Sequence, residues 1–203
     1  MSTPIRIIFF GDSICCGEGV SVHRGWVPKI SEFFENKYGS AVVIHNSSVN
    51  GETTRTALVH MGYSVMSRDF DIMVVQFGMN DCNRWKTERN CNRVSVGSFE
   101  SNLNEIINRG FVSGIKKIFL MTNHTAGRPG YREELSDYND VIRRVAGEHK
   151  HMGTVLFIEI ERVLTRDYLA VDGIHLTASG NEQYSHIARP PIEAAVEELL
   201  KCK

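Results

Sequence analysis

Five short apolar runs punctuate the chain: Ile5–Phe10, Ala41–His45, Asp71–Phe77, Lys117–Thr122 and Thr154–Ile160. Most of their residues are β-branched or aromatic, and apolar side chains stand at successive rather than alternate positions. That pattern predicts strands buried on both faces of a parallel sheet. Between the runs the period becomes helical. Ile30, Phe33, Phe34 and Tyr38 share one face of a helix that Pro28 can open and Gly39 can end. Ser98 is placed to cap a second helix carrying Phe99, Leu103, Ile106 and Ile107, with Gly110 just past its end. Tyr138, Val141, Ile142 and Val145 mark a third, closed by Gly147, and a weaker stripe over Thr53–Met66 carries Leu58, Met61 and Val65. The tail Ala178–Lys201 reads as helical at both ends and broken at Pro190-Pro191.

Strands alternating with helices imply right-handed βαβ units and an α/β fold, a three-layer α/β/α sandwich around a central five-stranded parallel sheet. No internal repeat, low-complexity tract or linker interrupts it, so residues 1–203 read as a single domain. The longest irregular stretch is Asn80–Gly97, a length at which loops are often functional.

Composition narrows the class without naming it. The chain holds 23 Lys+Arg against 24 Asp+Glu, a net charge of −1, which leaves no electrostatic footprint for nucleic acid or an anionic membrane. With 42% hydrophobic residues, the chain is too apolar to be disordered. Cys15, Cys16, Cys82, Cys91 and Cys202 are odd in number and include no CxxC, so they read as free thiols in a reducing compartment. Met1–Pro4 leads directly into the first run, which is too short for a signal peptide, and no apolar stretch has the length of a membrane span. A cytoplasmic location is the resulting expectation.

In an open parallel sheet, ligands bind beyond the carboxyl ends of the strands. Gly11-Asp12-Ser13-Ile14 follows the first run, Asn46–Thr53 the second and Gly78-Met79-Asn80-Asp81 the third. Beyond the fifth run comes Val171-Asp172-Gly173-Ile174-His175. These are parts for acyl transfer. Ser13 is a weak nucleophile until a base takes its proton, and His175 is the natural base. Asp172, three residues earlier, can receive the other imidazole N–H, fixing the tautomer and stabilising the imidazolium. A tetrahedral intermediate then needs donors for its oxyanion: the backbone N–H of Ser13, that of Gly51 and the carboxamide of Asn80 can supply them.

These residues carry a resemblance. Gly11-Asp12-Ser13, Gly51 after the second strand, Gly78-x-Asn80-Asp81 and Asp172-x-x-His175 resemble, in order, the four blocks of the SGNH (GDSL-like) hydrolase family. They span residues 11–175. The resemblance implies a flavodoxin-like fold, Ser13 as nucleophile, an oxyanion hole completed by Gly51 and Asn80, and an Asp172–His175 pair. It also implies esterase, lipase, thioesterase or deacetylase activity with no cofactor. Ile14 departs from the family's usual leucine and serves only to pack.

Other polar residues suggest less. His149 and His151 beside Lys150 read as a solvated basic helix end. His23, His45, His60, His124 and His186 share no ligand spacing with the cysteines, so no metal site is expected. Cys15 and Cys16 lie near Ser13, with packing roles expected for both. The chief rival reading is a flavodoxin-like module binding a phosphate or nucleotide, which leaves Asn80 and the Asp172–His175 pair unused. The loops bordering the site hold Arg84, Trp85, Lys86 and Arg89, and Asn123, His124, Arg128 and Tyr131. Such polar surroundings favour short-chain carboxylic esters on a polar carrier, an O-acetyl carbohydrate for instance, with thioester or lysophospholipid hydrolysis second. The expected partner is a small-molecule ester.

Overall fold

A computed structural model describes residues 3–85, 89–127, 131–149 and 154–202. Lys86, Arg128, Lys150 and His151, which figure in the sequence reading, lie outside the described residues, as does the side chain of Tyr131. The five apolar runs form β1 (Ile5–Gly11), β2 (Val42–Asn46), β3 (Ile72–Gln76), β4 (Lys117–Met121) and β5 (Val155–Ile158). All pair in parallel, in the order β2-β1-β3-β4-β5. This is the flavodoxin-like order, whose chain reverses direction across the sheet between β1 and β3.

Side-chain alternation divides the core into two layers. Ile8 and Phe10 of β1, Met73 and Val75 of β3, and Ile118 and Leu120 of β4 point to one face. There they meet α3 (Thr54–Ser64), α4 (Val96–Val112) and α5 (Tyr131–Glu148). The intervening Ile7, Phe9, Ile72, Val74 and Phe119 point the other way, onto α2 (Trp26–Tyr38) and α6 (Ala178–Lys201). A four-residue helix, α1 (Ser13–Cys16), turns the chain off the end of β1. The runs of the central strands β1, β3 and β4 are continuous because each fills both layers, whereas the edge strands β2 and β5 are only partly buried.

Four helix boundaries differ from the sequence expectation. Pro28 occupies the third position of α2 and not the first, with Gly25 as N-cap; an N–H is dispensable anywhere in the first turn. Ser95 caps α4 in place of Ser98, which instead donates its backbone N–H to the Ser95 hydroxyl at 3.3 Å. Gly110 is inside that helix, packed where a side chain would strike Met73 and Ile118, and Gly147 is likewise inside α5. The largest difference is α6, which is unbroken through Pro190 and Pro191. A proline inside a helix costs about 3 kcal/mol. Against that, Tyr184, Ala188, Ile192, Ala195, Val196 and Leu199 are buried on the sheet, and each large apolar side chain so buried contributes about 1.5–3 kcal/mol. Packing outweighs the two missing donors.

Candidate active site

Ser13 stands where β1 ends and α1 begins. Asp12 caps that helix: its side chain accepts the Ile14 N–H at 3.0 Å, which bends the chain sharply and leaves Ser13 at the first helical position, 7% exposed. From the opposite side, the loop after β5 brings in His175. Its Nε2 lies 3.0 Å from the Ser13 hydroxyl, and its Nδ1 lies 2.6 Å from Asp172 Oδ2. The other Asp172 oxygen accepts the backbone N–H groups of Ile174 and His175, both at 2.9 Å. Asp172 and His175 are therefore locked together by a tight local turn. With Nδ1–H donated to the carboxylate, Nε2 presents its lone pair to the serine hydroxyl.

The charge on this turn is well defined. Burial pushes the Asp172 carboxyl up, but the Ile174 N–H, the imidazole and the His175 N–H outweigh it and hold the group at about 2. Asp172 is an anion throughout the neutral range. The turn is itself anchored. Ala170 donates its N–H to the His175 carbonyl at 2.7 Å, Gly127 donates to the Gly173 carbonyl at 2.7 Å, and Leu169 bridges Leu176. Beneath it His124, 1% exposed, donates Nε2–H to the Ile174 carbonyl at 2.7 Å. Burial drives His124 down to about 4, so it is neutral and its donor nitrogen must be Nε2. Its Nδ1 is buried without a hydrogen-bond partner among the described residues.

Asn80 and Gly51 occupy two other loops. The Asn80 carboxamide donates to Asp12 Oδ2 at 3.3 Å, which sets the amide beside the residue preceding Ser13. The loop leaves β3 through Gly78, whose φ is +128° and where a side chain would sit 2.4 Å from Asn123 Nδ2. Only glycine fits there. Asn123 is wholly buried, bonded to Gln76, to the Phe77 carbonyl and to Asn139, and so forms the polar floor under this loop. Gly51 lies in an exposed turn after β2, with φ +75° and the Glu52 N–H donated to the Val49 carbonyl at 3.2 Å. Val49 in turn donates its N–H to the Gly11 carbonyl at 3.0 Å, which holds that turn along the end of β1. Ser13, His175 and Asp172 are thus directly bonded, Asn80 is bonded to their neighbour, and Gly51 is on the adjoining loop.

Sequence reading missed the importance of Asp12. It is completely buried, and burial, reinforced by the charges of Asp81 and Glu52, raises it to about 7 against the opposing Ile14 N–H and Asn80 amide. The signal available was an Asp directly before a helical Ser at a strand end, an N-cap pattern. Asp81 is equally buried, accepting the Thr54 N–H at 3.0 Å and its hydroxyl at 2.5 Å, and burial raises it to about 6. The thiols near the serine are inert by comparison: burial pushes Cys15 well above its usual range and Cys16 to about 11. Cys15 packs in the core layer beneath α2, as a small apolar side chain does.

Beside the serine is an open cleft of about 820 Å³, lined by Cys16–Val22 and Ser48–Asn50. Gly19 on its wall faces His175: a side chain there would sit 3.9 Å from the histidine Cβ. Among the described residues no helix is long and apolar enough to cross a membrane.

Comparison with known proteins places the chain in a family. The model of the GDSL-like lipase/acylhydrolase family matches residues 9–183. An arylesterase of Vibrio mimicus is 23% identical over 172 residues, 84% of this chain and 79% of the relative. A lipase/acylhydrolase from Enterococcus faecalis superposes with a TM-score of 0.79 at 24% identity, covering 94% of this chain and 96% of that one. An acetylxylan esterase, Axe2 from Geobacillus stearothermophilus, superposes with a TM-score of 0.76 at 20% identity, covering 90% of this chain and 91% of that one. With the family model spanning every loop that bears on Ser13, the chain belongs to the GDSL-like lipase/acylhydrolase family of ester hydrolases.

Proposed function

We propose that this enzyme hydrolyses short-chain carboxylic esters on a polar carrier through an acyl-enzyme on Ser13. The observation that carries the reading is the continuous hydrogen-bonded chain Ser13–His175–Asp172, with links of 3.0 Å and 2.6 Å. His175 takes the hydroxyl proton as Ser13 attacks the ester carbonyl, and the ionised Asp172 stabilises the imidazolium that results. The negative charge then forming on the carbonyl oxygen is met by the Ser13 and Gly51 backbone N–H groups and the Asn80 carboxamide. One Asn80 hydrogen faces Asp12; an amide has two, so the second is available to the oxyanion. Collapse of the intermediate expels the alcohol, which receives the proton from His175. A water, deprotonated by the same imidazole, then releases the acid and regenerates Ser13.

The substrate preference rests on the surroundings. The cleft that begins at Cys16, three residues after Ser13, is open and mixed in lining: Glu18, Ser21, Ser48 and Asn50 beside Val20, Val22 and Val49. Its carboxylate, hydroxyls and amide can hydrogen-bond a hydrophilic alcohol portion, and an open cleft does not enclose a long acyl chain. The acetylxylan esterase among the structural neighbours supports a small acyl group, and the arylesterase relative supports ester hydrolysis. Labelling with a fluorophosphonate, followed by mass mapping, tests the mechanism. The expected adduct is on Ser13 and is absent from Ser13→Ala, which should also lose turnover of p-nitrophenyl acetate while keeping its thermal melt. Turnover retained by Ser13→Ala removes the serine from the reaction. A series of p-nitrophenyl esters should then show kcat/KM falling with acyl length. A rise toward long chains favours the lysophospholipase alternative, and preference for thioesters favours the thioesterase.

A further inference from the structure

The two oxyanion donors other than Ser13 come from different loops, and their spacing depends on a tie between those loops. We propose that Arg93 does this, acting as a positioning residue that ties the Gly51 turn to the loop bearing Asn80. The inference rests on the oxyanion assignment above and adds a residue to it.

The geometry is specific. Arg93 Nη1 donates to the Gly51 carbonyl at 2.9 Å, a contact across 42 positions of sequence. Its guanidinium carbon lies 4.3 Å from the centroid of the Trp85 ring, so the planar group is stacked before it reaches the turn. The Arg93 backbone belongs to the Asn80 loop. Its N–H is donated to the Asn83 carbonyl at 2.9 Å, Val94 donates to the Asp81 carbonyl at 3.0 Å, and Asn83 donates to the Asn80 carbonyl at 3.3 Å. One side chain therefore spans from the segment that fixes Asn80 to the carbonyl of Gly51.

The turn needs such a hold. At its base, Thr54 is bound to Asp81 in the buried interior, which links the two loops three residues from Gly51. Gly51 itself is exposed, and among the described residues nothing lies within 4 Å of the place its side chain would occupy. The Asn50 amide bonds to Glu18 on the side facing the cleft. Arg93 supplies the opposing hold, on the side facing Asn80. Oxyanion hydrogen bonds reach full strength only in the transition state, so a loosened turn should lower kcat and leave KM alone.

Arg93→Ala is expected to lower kcat on p-nitrophenyl acetate about tenfold, with KM within about twofold, since small misplacements at a reacting centre cost one to two orders of magnitude. Arg93→Lys keeps a donor but not the planar stack and should fall between the two. In an Asn80→Ala background the Arg93→Ala change should cost markedly less, because the spacing no longer matters when one donor is gone. Thermal melts of all variants identify any loss that is merely unfolding. An unchanged kcat in Arg93→Ala overturns the proposal, and a change confined to KM makes Arg93 a substrate contact. Equal losses in both backgrounds likewise refute a role in spacing. If Asn80→Ala alone is fully active, the oxyanion assignment fails first; if Asn80→Ala is slow and Arg93→Ala is not, only the role of Arg93 fails.

Discussion

Two aspartates lie within two hydrogen bonds or one peptide of Ser13, and their surroundings drive them in opposite directions. Asp172 has a side chain 40% exposed and receives two backbone N–H bonds and an imidazole N–H, which hold it at about 2. Asp12 has no exposure, one backbone donor and the weaker Asn80 amide, with Asp81 and Glu52 adding like charge, and it rises to about 7. The same carboxyl group is thus a permanent anion behind the histidine and, behind the serine, a group that gives up its proton only near neutral pH. Environment, not residue type, assigns the role. The anion is at the surface, where solvent and three donors sustain it; the proton is kept where solvation is lost.

Removing the anion should have the largest effect. Asp172→Asn keeps the side-chain shape and presents an amide in place of one acceptor, so the imidazole loses its defined tautomer. A fall in kcat of about 10³–10⁴ is expected, measured on p-nitrophenyl acetate; a fall below tenfold would break the contrast by making Asp172 dispensable. In the parent, Asp172 titrates too low to contribute an acid limb to kcat/KM anywhere above about pH 3.

Asn80→Ala comes next, with kcat down about 10²–10³ and KM little changed. It also strips Asp12 of its side-chain donor, which should raise the Asp12 carboxyl further. Carbonyl-region infrared or NMR titration of the Asp12 side chain would read that shift. A carboxyl that titrates lower in Asn80→Ala contradicts the account of Asp12.

The smallest effects are on stability, and they carry opposite signs. Above about pH 4 an unfolded Asp is ionised, whereas Asp12 in the fold keeps its proton to about 7. The native state therefore loses stability from this group as pH rises through that window. Asp12→Asn, which retains an N-cap acceptor, should gain melting temperature relative to the parent between pH 4 and pH 7, by about 5 °C at the upper end. His124 works the other way. The unfolded imidazole binds a proton below about pH 6.5, and the buried one does so only near 4, so stability falls as pH drops through that range. His124→Gln can still donate to the Ile174 carbonyl and should flatten that loss. Differential melts in a pH series decide both, and curves parallel to the parent would show that neither group titrates as described.

Much of this molecule was legible in the order of its residues. Continuous apolar runs mark all five strands, although only the central three bury both faces, and the placement of Ser13, Asn80, Asp172 and His175 beyond strands follows from where open α/β sheets bind ligands. The Asp172–His175 turn is local enough, three residues long, to be encoded without help from the rest of the chain. What tertiary structure decided are quantities that depend on neighbours distant in sequence. Helix α6 runs through two prolines because its apolar face has a sheet to cover. Ser13 and His175, 162 positions apart, close to a 3.0 Å contact only when β1 and the loop after β5 share one end of the sheet. Asp12 keeps its proton up to about neutrality because strands and loops from elsewhere exclude water from it, a desolvation that no residue type announces. Arg93 reaches Gly51 across two loops that carry no common motif. Local patterning sets which elements and chemical groups exist; burial and long-range approach set their charge, spacing and alignment.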